Sequence, residues 1–123
     1  DYEKYLAILN EEEKRQWDEN KQEKGKAYVQ MQTRVSVNDQ NKAEIRLINP
    51  PYAAYKQKVT IKLNEDEKVL YESDMMLPGT VVEHAEIAGL KEGTYEASAI
   101  FVFYDAYDVE RGDYKLELQL DVI

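Results

Sequence analysis

The stretch Leu90–Tyr104, LKEGTYEASAIFVFY, decides the fold because it joins a turn to the longest and most apolar strand-like run in the chain. Alternate residues from Tyr95 to Phe103 form one apolar face. The opposite face begins polar and becomes apolar at Ile100 and Val102. A strand that is apolar on both faces is expected near the centre of a sheet or beneath a second covering surface. We therefore expect the other segments to pack around this strand.

Six further segments show the period-two alternation of half-buried strands. They are residues 27–37, 42–49, 56–63, 68–73, 80–87 and 114–123. Turn residues separate them, including the run 38–41 and the dipeptide Pro78-Gly79. Seven short strands with no helical pattern between them predict an all-β chain, folded as a seven-stranded antiparallel sandwich.

Residues 1–26 differ from the rest of the chain, since they are dense in Glu, Lys, Gln and Asn and contain no proline. This composition predicts a helical segment that ends at Gly25. Two interpretations stay open: a solvated spacer or stalk, and a partner-binding helix that uses Tyr5, Leu9 and Trp17. We place the domain boundary here, with a charged helical spacer at 1–26 and the sandwich at 27–123.

The composition argues against several classes of function. With 25 Asp and Glu against 16 Lys and Arg, the net charge is -9, which disfavours binding to nucleic acid. The chain has no cysteine, one histidine (His84) and no Gly-rich phosphate loop. These absences leave little from which to build a metal centre, a catalytic triad or a nucleotide site. We expect no enzymatic activity, no cofactor and no metal.

Leu90, Gly93 and Tyr95 have the spacing L-x-x-G-x-Y, which is typical of the tyrosine corner in immunoglobulin-like sandwiches. Residues 43–123 resemble the immunoglobulin-like or fibronectin-type-III-like domains of exported and membrane-anchored proteins of Gram-positive bacteria. The resemblance implies an extracytoplasmic location and the architecture of an N-terminal anchor, a spacer and one sandwich, commonly with no assigned activity. The chain has no apolar run of about 18 residues. We therefore expect contact with the membrane only through an anchor upstream of Asp1.

The segment between the last two predicted strands, DAYDVERGD, is the leading candidate binding loop. It carries four carboxylates within nine residues: Asp105, Asp108, Glu110 and Asp113. Calcium prefers such oxygen clusters, but the spacing is not that of an EF-hand, and a plain polar hairpin loop is the alternative. The same segment contains the tripeptide Arg111-Gly112-Asp113, at the place where cell-adhesion fibronectin type III modules display theirs. Gly112 followed by Asp113 is also ordinary hairpin chemistry.

Ten tyrosines are many for this length, and four of them fall in or beside loops: Tyr52, Tyr55, Tyr104 and Tyr107. Tyrosines on loops make good contact residues, because they offer a large area with little rotamer entropy. The alternative is that several of them simply pack. The predicted function is a non-enzymatic interaction or structural module that binds a protein partner through sandwich loops or a strand edge. Binding of carbohydrate or peptidoglycan, and host adhesion through Arg111-Gly112-Asp113, are the alternatives.

Overall fold

The computed structural model describes residues 7–20 and 26–123, with the backbone alone for residues 16–20. The elements, in chain order, are α1 (Glu11–Asn20), β1 (Arg34–Val37), β2 (Lys42–Asn49), β3 (Lys56–Leu63), β4 (Val69–Glu72), β5 (Thr80–Glu86), β6 (Gly93–Tyr104) and β7 (Glu110–Val122). The chain is therefore mostly β, as the alternation predicts.

The seven strands form one sheet in the order β4-β3-β6-β7-β1-β2-β5, which curls nearly into a barrel. Every neighbouring pair is antiparallel except β1 and β7, which are parallel. The sheet is thus mixed, where the sequence predicts a wholly antiparallel arrangement. In the parallel pair, Val35 and Val37 lie in register with Leu120 and Val122, and all four side chains face the core.

The first strand is shorter than predicted, since it begins at Arg34 and the alternation begins at residue 27. The preceding residues are bonded first to β2, where the Gln32 amide donates to the Ile45 carbonyl at 2.9 Å. The next bond leads to β7, where the Gln119 amide donates to the Thr33 carbonyl at 2.8 Å. The chain crosses from one neighbour to the other here, so no continuous ladder forms.

Strand β6 lies at the centre of the fold, as its two apolar faces predict. It pairs with β3 along one side and with β7 along the other. Ala97, Ala99 and Phe101 are fully buried, and the Phe101 and Phe103 rings stack with centroids 6.5 Å apart. The same core receives the inward side chains of the other long strands, such as Ile45, Ile61 and Leu120.

Helix α1 begins with a capping box. The Glu13 amide donates to Asn10 Oδ1 at 2.8 Å, and the Asn10 amide donates to Glu13 Oε1 at 2.9 Å. The predicted helix is confirmed for Glu11–Asn20, whereas Tyr5 and the stop at Gly25 lie outside the described residues.

Residues just before α1 pack on the outer face of the sheet. Leu9 is buried against Ile48 of β2, beside Ile8 and Val81. Arg46 of β2 holds the same segment, since its guanidinium donates to the Ile8 carbonyl at 3.0 Å and to Glu13 Oε1 at 2.6 Å. Leu9 is therefore buried against this chain's own sheet. The side chain of Trp17 is not among those that the structure describes.

A register irregularity in β2 makes the contact of Arg46 possible. The pairing with β5 shifts between Glu44 and Leu47, and Arg46 takes a φ of 44°. Three other described non-glycine residues have positive φ, and all of them lie in connections between strands: Asn41, Glu67 and Asp108. A left-handed conformation within a strand persists only when its surroundings enforce it. The bulge turns the long Arg46 side chain towards α1.

Candidate functional site

Three connections meet at one end of the sheet, which we call the loop end: residues 50–55, 73–79 and 105–109. Asn49 at the end of β2 pairs with Thr80 at the start of β5, and Lys56 at the start of β3 pairs with Tyr104 at the end of β6. The Gly79 amide also donates to the Asn49 carbonyl at 2.7 Å. The two predicted loop groups, at Tyr52–Tyr55 and at Tyr104–Asp108, are therefore neighbours.

Asp105 shapes the β6–β7 loop. Its Oδ1 accepts hydrogen bonds from the amides of Tyr107 at 2.8 Å and Val109 at 3.0 Å. The Asp105 amide donates to the Val109 carbonyl at 3.0 Å, and Asp108 takes a left-handed φ of 63°. A side-chain acceptor of this kind replaces a backbone partner and fixes the turn. The loop therefore presents Tyr107, which is 88% exposed, from an ordered backbone.

Ion pairs hold two of the four carboxylates of this segment. Lys56 on β3 pairs with Asp108 and so ties the β6–β7 loop to the start of β3. Arg111 Nη1 lies 3.8 Å from Asp105 Oδ2. The hydrogen bond from the Val109 amide lowers the pKa of the Asp105 carboxyl below its ordinary value, and the Tyr107 amide, Arg111 and Lys56 act in the same direction.

The loop carboxylates are not gathered for calcium. Within residues 7–20 and 26–123, no group of three or more acidic, histidine or cysteine side chains is placed to hold a metal ion. Asp105 and Asp108 turn their oxygens to protein donors. Glu110 and Asp113 are exposed on β7, paired with Tyr104 and Val102 respectively.

The tripeptide Arg111-Gly112-Asp113 lies in strand β7 and not in the loop, where the sequence places it. Gly112 pairs with Phe103, and Asp113 pairs with Val102. The reason is the tight closure at Asp105, which lets the β6–β7 ladder continue as far as Glu110. Gly112 has a φ of 155°, which favours glycine, and it adjoins the register shift at Phe103 and Tyr104.

The other candidate tyrosines are more packed than displayed. Tyr52 is half-buried, and its ring meets the Tyr28 ring edge-on, with centroids 4.9 Å apart and an interplanar angle of 84°. Tyr55 packs against the main core, and Tyr104 is half-buried. Of the four candidates, Tyr107 offers by far the most free surface.

Apolar side chains that the sequence does not single out also collect at the loop end. Among the described residues, six large apolar side chains are half exposed or more: Val69, Leu77, Tyr107, Val109, Tyr114 and Ile123. Three of these, Leu77, Tyr107 and Val109, lie on the loop-end connections, and Tyr114 lies within β7, paired with Phe101. Leu77 and Val109 could have been noticed in the sequence, since each is an apolar residue between two predicted strands.

A buried amide cluster supports the loop end from below, and sequence reasoning missed it. The Asn49 side-chain amide donates to the Tyr55 and Met76 carbonyls, both at 3.0 Å. The Gln57 side-chain amide donates to Asn49 Oδ1 at 3.0 Å and to the Tyr28 carbonyl at 3.1 Å. Both side chains are fully buried, so these bonds fix the connections that they join. The available signal was that Gln57 occupies an inward position of the strand KQKVTIKL.

Leu90, Gly93 and Tyr95 form the predicted tyrosine corner at the opposite end of the sheet. The Tyr95 hydroxyl donates to the Lys91 carbonyl at 2.7 Å, four residues upstream. Leu90 and Tyr95 pack against the main core, and Gly93 has a φ of 151°. This set stabilises the entry into β6 and is separate from the loop end.

His84 lies on the edge strand β5, where it is exposed and faces Glu44 of β2.

No helix in the described ranges combines the length and the hydropathy that crossing a bilayer requires. Comparisons with models of protein families, with characterised proteins and with solved structures gave no significant match.

Proposed function

We propose that this chain is an immunoglobulin-like sandwich that acts as a non-enzymatic interaction module and binds a protein partner through its loop end. The fold part of the proposal is supported by the parallel contact between the first and last strands and by the tyrosine corner at Tyr95. In such a sandwich, β1-β2-β5 and β4-β3-β6-β7 are the two layers.

The observation that carries the binding proposal is the exposure of Leu77, Tyr107 and Val109 on the loop-end connections. Exposed apolar groups clustered on one surface are a feature of interaction sites, whereas single ones are ordinary. The hydrogen bonds of Asp105 and the Lys56–Asp108 pair order the loop before binding. An ordered loop loses less conformational entropy when a partner docks.

A protein partner is favoured over a glycan, because of the candidates Tyr52, Tyr55, Tyr104 and Tyr107 only Tyr107 is exposed. Adhesion through Arg111-Gly112-Asp113 is less favoured, because the tripeptide is part of a strand and Arg111 lies near Asp105. Binding of a glycan and adhesion through the tripeptide both stay predictions.

We also propose a location on the outer side of a Gram-positive cell membrane. This proposal rests on the family resemblance alone. A native gene that encodes neither an export signal nor an anchor would contradict this location.

The partner is first identified by cross-linking from position 107 in intact cells and is then purified. The test compares how tightly two matched double variants bind it. Tyr107→Ala with Val109→Ala removes apolar area from the loop end, and Val69→Ala with Ile123→Ala removes it elsewhere. We expect the first pair to raise Kd by about tenfold or more, as expected for loss of a central aromatic contact. We expect the second pair to leave Kd unchanged. The reverse result, or equal losses, would overturn the proposal.

A further inference from the structure

The sheet has two edge strands, β4 and β5, and they differ in how well they are protected. Strand β4 has only four residues, and its pairing with β3 is interrupted by a register shift between Ile61 and Lys62. Short and irregular edges discourage pairing with other chains. Strand β5 has seven residues, Thr80–Glu86, without proline, and no described strand pairs with its outer side.

The hydrogen bonds between β5 and β2 fix which backbone groups of β5 point outwards. The Ile87 amide donates to the Asn41 carbonyl at 2.8 Å, in the same register that pairs Ala85 with Ala43. In an antiparallel ladder the bonded positions alternate. Ala85 and Ile87 therefore direct their backbone groups to β2, and His84 and Glu86 direct theirs away from the sheet.

The outer strand itself is negative, since β5 carries Glu83 and Glu86 and no lysine or arginine, and Lys42 of β2 lies opposite Glu86. Glu83 and Glu86 are exposed, and no described lysine or arginine forms an ion pair with either of them. A shallow groove beside the strand is lined by Gln40, Asn41, Lys42, His84, Ala85 and Glu86. The whole chain carries a net charge of -9, so it attracts cationic segments and repels a second copy of itself.

We propose that the outer side of β5 accepts an extended, lysine- or arginine-bearing segment of a partner protein as an added strand. The backbone groups of His84 and Glu86 pair with the incoming strand. The carboxylates of Glu83 and Glu86 are three residues apart, on opposite faces of the sheet, and select cationic side chains on both faces of that strand. The outward groups lie several residues from Thr80, where β5 leaves the loop end. The proposal therefore stands independently of binding at the loop end.

The experiment uses the whole chain and a synthetic seven-residue peptide of lysine, valine and threonine that matches the length of β5. Its lysines are three residues apart, so that they fall on both faces of the added strand, as Glu83 and Glu86 do. A peptide with glutamate in place of lysine is the charge control. Amide hydrogen exchange and chemical shifts locate the binding site, and titration gives Kd. In the free protein, the amides of His84 and Glu86 should exchange fast and those of Ala85 and Ile87 slowly.

Two variants block the site by different means. His84→Pro removes an outward donor without removing a bond to β2, since proline is tolerated at such edge positions; His84→Ala keeps the donor and is its control. Glu83→Lys with Glu86→Lys reverses the charge and does not depend on the proline variant folding. Glu72→Lys on β4 is the matched charge reversal at the other edge.

We expect the lysine peptide to protect the amides of His84 and Glu86, and to bind at least about tenfold more tightly than the glutamate peptide. His84→Pro and the double reversal should each weaken binding by about tenfold or more, and His84→Ala and Glu72→Lys should not. Three outcomes would overturn the proposal: no binding of the lysine peptide, protection at β4 or at the loop end instead, or a concentration-dependent dimer of this chain paired through β5.

Discussion

At the scale of single residues, the sequence is most informative where one side chain serves one local purpose. Tyr95 is such a case, because L-x-x-G-x-Y is typical of a corner tyrosine whose hydroxyl bonds the chain upstream, and Tyr95 makes this bond. Asp105 is predictable in part, since aspartate at a turn commonly accepts from amides two residues on. The inward position of Gln57 is predictable from the alternation of β3, but its hydrogen-bond partners Asn49 and Tyr28 are not, because they lie on other segments.

Replacing Tyr95 with phenylalanine tests the corner. Tyr95→Phe removes the hydrogen bond to the Lys91 carbonyl and keeps the ring, so we expect a loss of about 1 kcal/mol in the free energy of unfolding. Denaturant titration measures it. Tyr107→Phe, at an 88% exposed position, is the control and should change nothing. Equal stability of both variants would show that the hydroxyl contributes nothing.

The loop aspartate gives a pH prediction. The pKa of Asp105 is lowered in the folded chain, first by the Val109 amide. A lowered pKa means that the ionised form stabilises the loop above the ordinary carboxyl value of about 4, and that this contribution is lost as pH falls through the folded pKa. In an NMR titration, the chemical shifts of the Tyr107 and Val109 amides should therefore change at a pH below that ordinary value.

The control for this titration is Asp105→Asn, which carries no titrating proton at this position. The low-pH step in the amide shifts of Tyr107 and Val109 should then disappear. A step at or above the ordinary carboxyl value in the unsubstituted chain would contradict the assignment.

At the scale of elements, alternation predicts which strands exist better than where they end. Strands β2 and β3 have the predicted bounds. β7 starts earlier than predicted because Asp105 closes the turn, and β1 starts later because the chain changes neighbours near Thr33. Both differences arise from contacts that a single segment does not encode. The turn at Pro78-Gly79 is predictable, since Gly79 has the φ of 92° that the dipeptide favours.

The attachment of α1 is also a property of elements, and Arg46 tests it. Arg46→Met keeps a straight side chain at the strained position but removes the bonds to the Ile8 carbonyl and Glu13. We expect the opening free energy of the first amides of α1 to fall by about 1–2 kcal/mol, so that these amides exchange faster. The exchange of the sheet amides should not change. Arg34→Met, whose side chain is 75% exposed beside Asp121, is the control. Equal exchange in both variants would rule out Arg46 as the anchor of α1.

At the scale of the whole molecule, the sequence predicts an all-β chain with β6 at its centre, but not the order of the strands. Alternation identifies the inward face of each strand and says nothing about its neighbour. The β1–β7 pair joins Val35 to Leu120 across most of the chain. Such a distant pairing leaves no local signal, so the parallel contact and the neighbouring positions of the loops emerge only in three dimensions.

The net charge of -9 makes a prediction for the molecule as a whole. Raising the ionic strength from about 10 mM to about 0.15 M shortens the screening length from about 30 Å to about 8 Å. We expect weaker self-repulsion and a Tm higher by about 3–5 °C in a thermal melt. Glu65→Gln with Glu92→Gln removes two exposed negative charges and should reduce this gain. A Tm that falls with added salt would contradict the prediction.

The position of β1 between β7 and β2 has a consequence for how the protein is made. During synthesis, β1 emerges among the first elements and β7 as the last described strand, so β1 and β6 each wait with one side unpaired. Only when Glu110–Val122 leaves the ribosome can that strand join them. Long-range closure of this kind is slow, and open edges are prone to aggregate. The nascent chain therefore needs protection until its final strand arrives.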